Sequence, residues 1–123
     1  MFDTQQNNRR TRKVADQVKN DLSWIVQHKF KDPHKAMVTI TRVKISPDLK
    51  YATAYFSVIG KDADHKETEK ALKQSASFLR RELSQRIRLK FVPELRFFYD
   101  DSLEYADHMA QLFNRINDTN SDN

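Results

Sequence analysis

The sequence has no cysteine and only one glycine, Gly60. The absence of cysteine excludes disulfides, thiolate metal sites and cysteine catalysis, and it fits a reducing compartment. A single glycine excludes the P-loop, the dinucleotide fingerprint and the GXXG loop of RNA-binding modules, each of which needs several. The four histidines, His28, His34, His65 and His108, stand at no metal-ligand spacing. No serine lies in a nucleophile-elbow context. No apolar run reaches the ~18 residues of a membrane span. The polar N-terminus, MFDTQQNNRRTRK, has no apolar segment of the secretory kind. A cytoplasmic protein without membrane contact, cofactor, metal or catalytic residue is the expectation.

What is present is charge, unevenly placed. In 123 residues there are 22 Lys and Arg against 17 Asp and Glu, a net charge of +5. From Asp100 onward six acids face one base, Arg115, so that segment carries 1 − 6 = −5. Residues 1–99 therefore hold 21 bases and 11 acids, or +10. A basic body with an acidic end favours a polyanionic partner for the body.

Periodicity supplies the elements. Residues 1–8 are polar and expected to be flexible. Val14, Val18, Leu22, Ile25 and Val26 recur every three or four residues, the stripe of an amphipathic helix ended by Asp32-Pro33. In MVTITRVKIS (37–46) the apolar residues change parity near Thr41-Arg42, as a β-bulge would make them. The turn Ser46-Pro47-Asp48-Leu49 leads to KYATAYFSVI (50–59), and the two strands form an antiparallel hairpin. A long helical pattern follows, with Leu72, Ser75/Ala76, Leu79, Leu83 and Ile87 on its buried side. ELRFFY (94–99) is a third strand, and Asp101-Ser-Leu-Glu104 resembles a capping box opening a last amphipathic helix on Leu103, Ala106, Ala110 and Phe113. A disordered tail is expected over 117–123. The whole is one α+β domain over 9–116, with a three-stranded sheet backed on one face by helices.

Two features bear on function. Lys70, Lys73, Arg80, Arg81 and Arg88 lie on one side of the long helix, extended by Arg86 and Lys90, with Arg96 on the neighbouring strand; Arg9, Arg10, Arg12 and Lys13 form a second patch. Such rows suit phosphates, whose binding is driven by counterion release; a solvated surface is the alternative. Phe98 or Tyr55 could stack bases or fill the core. The acids Asp100, Asp101, Glu104 and Asp107 could hold Mg²⁺ for phosphoryl transfer, or simply complement the positive end of a helix.

Three blocks, 12-RKVADQVKNDLSWIVQ-27, 37-MVTITRVKISPDLKYATAYFSV-58 and 78-FLRRELSQRIRLKFVPELRFFYDDSLEYADHM-109, together with Asp32-Pro33, resemble the ribosome-binding factor A family over roughly residues 9–113. The resemblance implies a KH-like fold of type II order, α-β-β-α-kink-α-β, without the GXXG loop, plus a C-terminal helix. In that family an Ala-x-Gly kink joins two helices. The matching residues here are Ser75, Ala76 and Ser77, a departure at both outer positions that puts the kink's angle in question. The resemblance implies a non-catalytic, monomeric factor for assembly of the small ribosomal subunit. It would bind small-subunit rRNA and free small subunits, assist 5′-end maturation of the precursor and serve growth in the cold; ribosomal proteins are a further candidate partner. The candidate RNA-binding set is then Arg9, Arg10, Arg12, Lys13, Lys73, Ser75, Ala76, Ser77, Arg80, Arg81, Arg86, Arg88 and Lys90. The competing readings are a general single-stranded RNA binder with no ribosomal preference, a metal-dependent nuclease built on the acids, and a protein-interaction module.

Overall fold

The computed structural model describes residues 9–121; the segment expected to be flexible over 1–8 lies outside the described residues. Helix α1 spans Arg9–Lys29 and buries Val14, Val18, Leu22, Ile25 and Val26, the stripe expected from the spacing, together with Thr11. Strands β1 (Met37–Ile45) and β2 (Tyr51–Ile59) pair antiparallel, and the register shifts between Ile40 and Arg42. That shift is the bulge read from the change of parity. Strand β3 (Glu94–Tyr99) joins β2 in parallel, so the sheet order is β1-β2-β3. A parallel pair cannot be closed by a tight turn. The crossover is made by helices α2 (His65–Gln74) and α3 (Ala76–Arg86).

Alternate strand residues feed the core: Ile40, Val43 and Ile45 from β1, Ala52, Ala54 and Phe56 from β2, Leu95 and Phe97 from β3. Ala52 and Ala54 are fully buried, and their small size lets helices approach the central strand closely. Leu72, Leu79 and Leu83 come down from α2 and α3, each contributing on the order of 2 kcal/mol by burial. Ile87 completes the stripe from beyond the end of α3, where the chain is already extended (φ −110°, ψ 136°).

The long helix is two helices, and the break is one residue wide. Ser75 has φ −93° and ψ 2°, a conformation open to any residue type. Its N–H is shared between the carbonyls of Ala71 and Leu72 at 3.0 and 3.1 Å, and its own carbonyl accepts from Leu79 N at 2.9 Å. The kink therefore requires no glycine. Ser77, matched to the family's glycine, sits exposed within the first turn of α3, and the positive φ angles among the described residues belong to Lys35 and Leu49. Gly60, the single glycine, has a different reason: a Cβ there would meet Ala36 Cα and Cβ at 3.3 Å.

Asp32 ties the loop after α1 to the start of α2. One carboxylate oxygen accepts from His34 N (2.8 Å) and Ala36 N (3.1 Å), the other from the fully buried Thr68 hydroxyl. Burial works against this carboxylate, but the bonds from Thr68, Ala36 and His34 outweigh it and hold its pKa below the ordinary value.

Helix α4 (Ser102–Ser121) continues past Ile116, so the tail expected to be disordered from 117 is helical to Ser121; 122 and 123 lie outside the described residues. Leu103, Tyr105, Phe113 and Ile116 on this helix are exposed. The apolar pattern taken from the sequence is real, but it is not a core-facing stripe. The capping box also takes another form. Glu104 accepts from the Tyr99 hydroxyl, and it is Asp100 that takes the Ser102 N–H, at 2.9 Å.

Candidate RNA-binding surface

A cleft of about 600 Å³ opens where the start of α1, the β1–β2 turn, α3 and the segment before β3 meet. Arg10, Lys50, Arg80 and Lys90 line it, against the acids Asp48 and Glu94. The rest of its lining is mainly apolar, with Val14, Leu49, Tyr51, Leu89, Phe91, Val92 and Pro93. Four bases beside apolar lining, in a groove open to solvent, suit a phosphate backbone carrying bases or ribose.

The turn that supplies Lys50 is closed by hydrogen bonds. Asp48 Oδ1 accepts from Ser46 Oγ (2.6 Å) and Lys50 N (3.0 Å), while Leu49 N donates to Ser46 O at 2.9 Å. The Ser46 hydroxyl, then the Lys50 N–H, hold the Asp48 carboxyl below its ordinary pKa, so it is ionised in the cleft at neutral pH. Leu49 takes φ 63°, a left-handed conformation that costs a bulky residue about 1 kcal/mol, and it is held there by packing against the core.

The structure divides the sequence-derived basic residues. Arg10, Arg80 and Lys90 come together in the cleft, from two patches that are seventy residues apart in the chain. Arg80 has structural work as well: its Nε and Nη2 donate to Val92 O at 3.1 and 2.7 Å, which ties α3 to the cleft wall. Arg86 is directed toward α1, pairing with Asp21 (3.5 Å) and lying 4.2 Å above the Trp24 ring. Lys73 pairs with Glu69 (2.9 Å) and approaches Phe98. Arg9, Arg12, Lys13, Arg81 and Arg88 are exposed and form no ion pair among the described residues. Ser75 and Ala76 are half-buried at the kink, and Ser77 is exposed beside it.

Two cleft residues escaped the sequence reading. From the sequence Lys50 reads only as the start of a strand, and the helical pattern does not mark Phe91. Phe91 is 75% exposed, with Lys90 Nζ 5.7 Å from its ring centre. A large aromatic after the last buried position of the helical stripe, Ile87, was the available signal. The acidic cluster, in turn, is occupied by structure. Asp100 accepts from the Ser102 hydroxyl and from Thr41 Oγ1 (2.5 Å), bonds that lower its pKa to about 2. Glu104 holds the Tyr99 hydroxyl, pushing that phenol up to about 12. Among the described residues no group of three or more His, Asp or Glu side chains is disposed to hold a metal ion.

Comparison with known proteins identifies the family. The chain is 40% identical over 111 residues to the ribosome-binding factor A of Caldicellulosiruptor bescii, covering 88% of this chain and 84% of that protein. The solution structure of the Thermotoga maritima protein TM0855, a putative ribosome-binding factor A, superposes with a TM-score of 0.63 at 30% identity, over 76% of this chain and 90% of that one. A homology model of Thermus thermophilus ribosome-binding factor A, fitted into a cryo-EM map of its complex with 30S, superposes with a TM-score of 0.61 at 23% identity, over 71% of this chain and 91% of that one. The family profile described as Ribosome-binding factor A matches residues 10–113, from the first cleft arginine to beyond the middle of α4, and the chain belongs to that family.

Proposed function

We propose that this protein is a non-catalytic assembly factor that binds the small ribosomal subunit and its precursor rRNA, and that it assists late maturation, including processing of the rRNA 5′ end. The observation that carries the reading is the basic cleft of Arg10, Lys50, Arg80 and Lys90, in a fold whose Thermus thermophilus relative has been fitted into a 30S complex. The cleft and the exposed Arg81 and Arg88 grip rRNA phosphates; Arg9, Arg12 and Lys13 extend the grip from α1. A binder shifts an RNA equilibrium only by its differential affinity for the two states. The factor therefore holds immature rRNA more tightly than mature rRNA, and leaves when the mature form appears. It acts as a monomer in the cytoplasm, and its contribution is greatest in the cold, where misfolded RNA escapes most slowly.

The test is sedimentation of tagged protein with ribosomal particles across a range of salt concentrations. The protein should travel with free small subunits, more with immature than with mature particles. Equal affinity for the two would remove the mechanism, and absence from small-subunit fractions at all salt concentrations would remove the function. Arg81→Glu combined with Lys90→Glu should weaken association and lower the salt slope by about one per lost phosphate contact. Arg80 is the wrong site for that test, because its guanidinium also fastens Val92.

A further inference from the structure

The helices cover one face of the sheet only. Core residues alternate with a second set that points away from the helices: Arg42 and Lys44 on β1, Tyr51, Thr53 and Tyr55 on β2, Arg96 and Phe98 on β3. Register places these in rows across the three strands. Arg42, Tyr55 and Phe98 are direct neighbours, as are Lys44, Thr53 and Arg96. The Arg42 guanidinium lies 4.3 Å above the Tyr55 ring, and Arg96 lies 3.8 Å above Tyr51. The Tyr55 and Phe98 rings are 6.2 Å apart, and Lys73 Nζ, 5.9 Å from Phe98, extends the row past the sheet edge. Phe98 remains 48% exposed.

We propose that this open sheet face is a second RNA-contact surface, one that takes unpaired bases on Tyr55 and Phe98 while Arg42, Lys44, Lys73 and Arg96 hold the neighbouring phosphates. The proposal rests on the reading that the chain binds RNA. Two independent features select single-stranded nucleic acid as the occupant. The first is charge: Arg42, Lys44 and Arg96, with Lys73 paired to Glu69 at the edge, face two further acids, Glu94 and Asp100, and Asp100 is already engaged by Thr41 and Ser102. The second is that the rings of Tyr55 and Phe98 lie side by side in one row, flanked by Arg42 and Lys73. Every base has a π-face, so an aromatic platform in a positive groove binds single strands with little sequence preference. A duplex keeps its base faces stacked within itself and offers the platform nothing. The sheet face thus reads pairing state through the exposed plane of Phe98. Immature rRNA with unpaired segments would engage both surfaces at once.

The experiment measures fluorescence anisotropy of a short labelled single-stranded RNA, and of a duplex of the same sequence, binding to the full chain. Phe98→Leu keeps the apolar bulk and removes the plane; Phe98→Tyr restores the plane. Phe98→Leu should weaken single-strand binding about tenfold and leave duplex binding unchanged, and Phe98→Tyr should match the unmodified chain. Arg42→Gln with Arg96→Gln, exposed positions that do not enter the core, should weaken single-strand binding and flatten its salt dependence. Unchanged single-strand binding by Phe98→Leu would overturn the proposal, and so would an equal loss on single strand and duplex. A chain that stacks single strands on this face yet never sediments with small subunits would leave the sheet face standing and remove the ribosomal role. A chain that sediments but binds single strands equally well with Phe98→Leu would do the reverse.

Discussion

Thr68→Val removes one hydroxyl and nothing else of consequence. Thr68 is fully buried in α2, and its hydroxyl donates to the Asp32 carboxylate, which otherwise accepts only from His34 N and Ala36 N. A hydrogen bond to a charged group is worth about 1.5–3 kcal/mol net. Asp32 is half-buried, so water can replace the lost donor in part, which puts the expected loss at about 1–2 kcal/mol. Valine matches threonine in shape, so no cavity term is added. The loss must also depend on pH. The folded-state pKa of Asp32 lies below its unfolded value of 3.8, so its stabilisation is complete above pH 3.8 and fades as pH falls through the lower folded value. The difference between Thr68→Val and the unmodified chain should accordingly be full at neutral pH and shrink in strong acid. Urea denaturation at pH values on either side of that range measures it, with the m-value unchanged throughout. An unmoved midpoint at neutral pH, or an equal loss at both, would refute the account of Asp32 as the clamp between the α1–β1 loop and α2.

Three further outcomes are expected. Ser77→Gly, which places glycine where the resemblance has it, should lower stability by about 0.5 kcal/mol in thermal unfolding, because Ser77 lies in regular helix and glycine only adds unfolded-state entropy there; an increase would show that the kink does need glycine. Arg80→Met should cost about 1 kcal/mol, since two bonds to Val92 O are lost at an exposed site, and it should speed amide hydrogen exchange over residues 87–93; unaltered exchange there would contradict the fastening role. Carboxyl NMR titration should find Asp100 ionised down to about pH 2, and Thr41→Val should raise that midpoint toward 3.8; because the folded value is the lower one, the group stabilises the fold above pH 3.8 and the benefit is lost as pH falls through about 2.

The fold was largely legible because period determines it. The α1 stripe, the bulge at Thr41 and the alternation of Leu95 and Phe97 are local signals, and the core uses each of them as read. Strand direction was not legible, because a parallel β2–β3 pair and an antiparallel one bury the same alternate residues. The α4 stripe shows the limit from the other side. Amphipathicity says that a face is apolar, not that the same chain covers it. The cleft was legible in part. The charges on α1 and α3 could be read from composition, but that Arg10 and Arg80 share a wall with Lys50 depends on how α1 packs against α3, a long-range fact with no local signature.

The kink carries a more general point about what a motif conserves physically. A glycine in a helix-to-helix joint suggests a backbone conformation closed to other residues, and serine at Ser77 would then distort the joint. Here the turn is made two residues earlier, at Ser75, with ordinary dihedral angles and with its N–H and carbonyl already satisfied by Ala71, Leu72 and Leu79. What matters at positions 75–77 is therefore size rather than backbone freedom. Half-buried Ser75 and Ala76 let α2 and α3 turn against each other, and the exposed Ser77 leaves the surface beside the kink low. A bulky residue at Ser77 should thus leave stability nearly unchanged while obstructing anything that lies along the start of α3. Ser77→Trp separates the two: retained thermal stability with weakened small-subunit association would place RNA against the kink, and full association would place the contact wholly in the cleft and on the sheet.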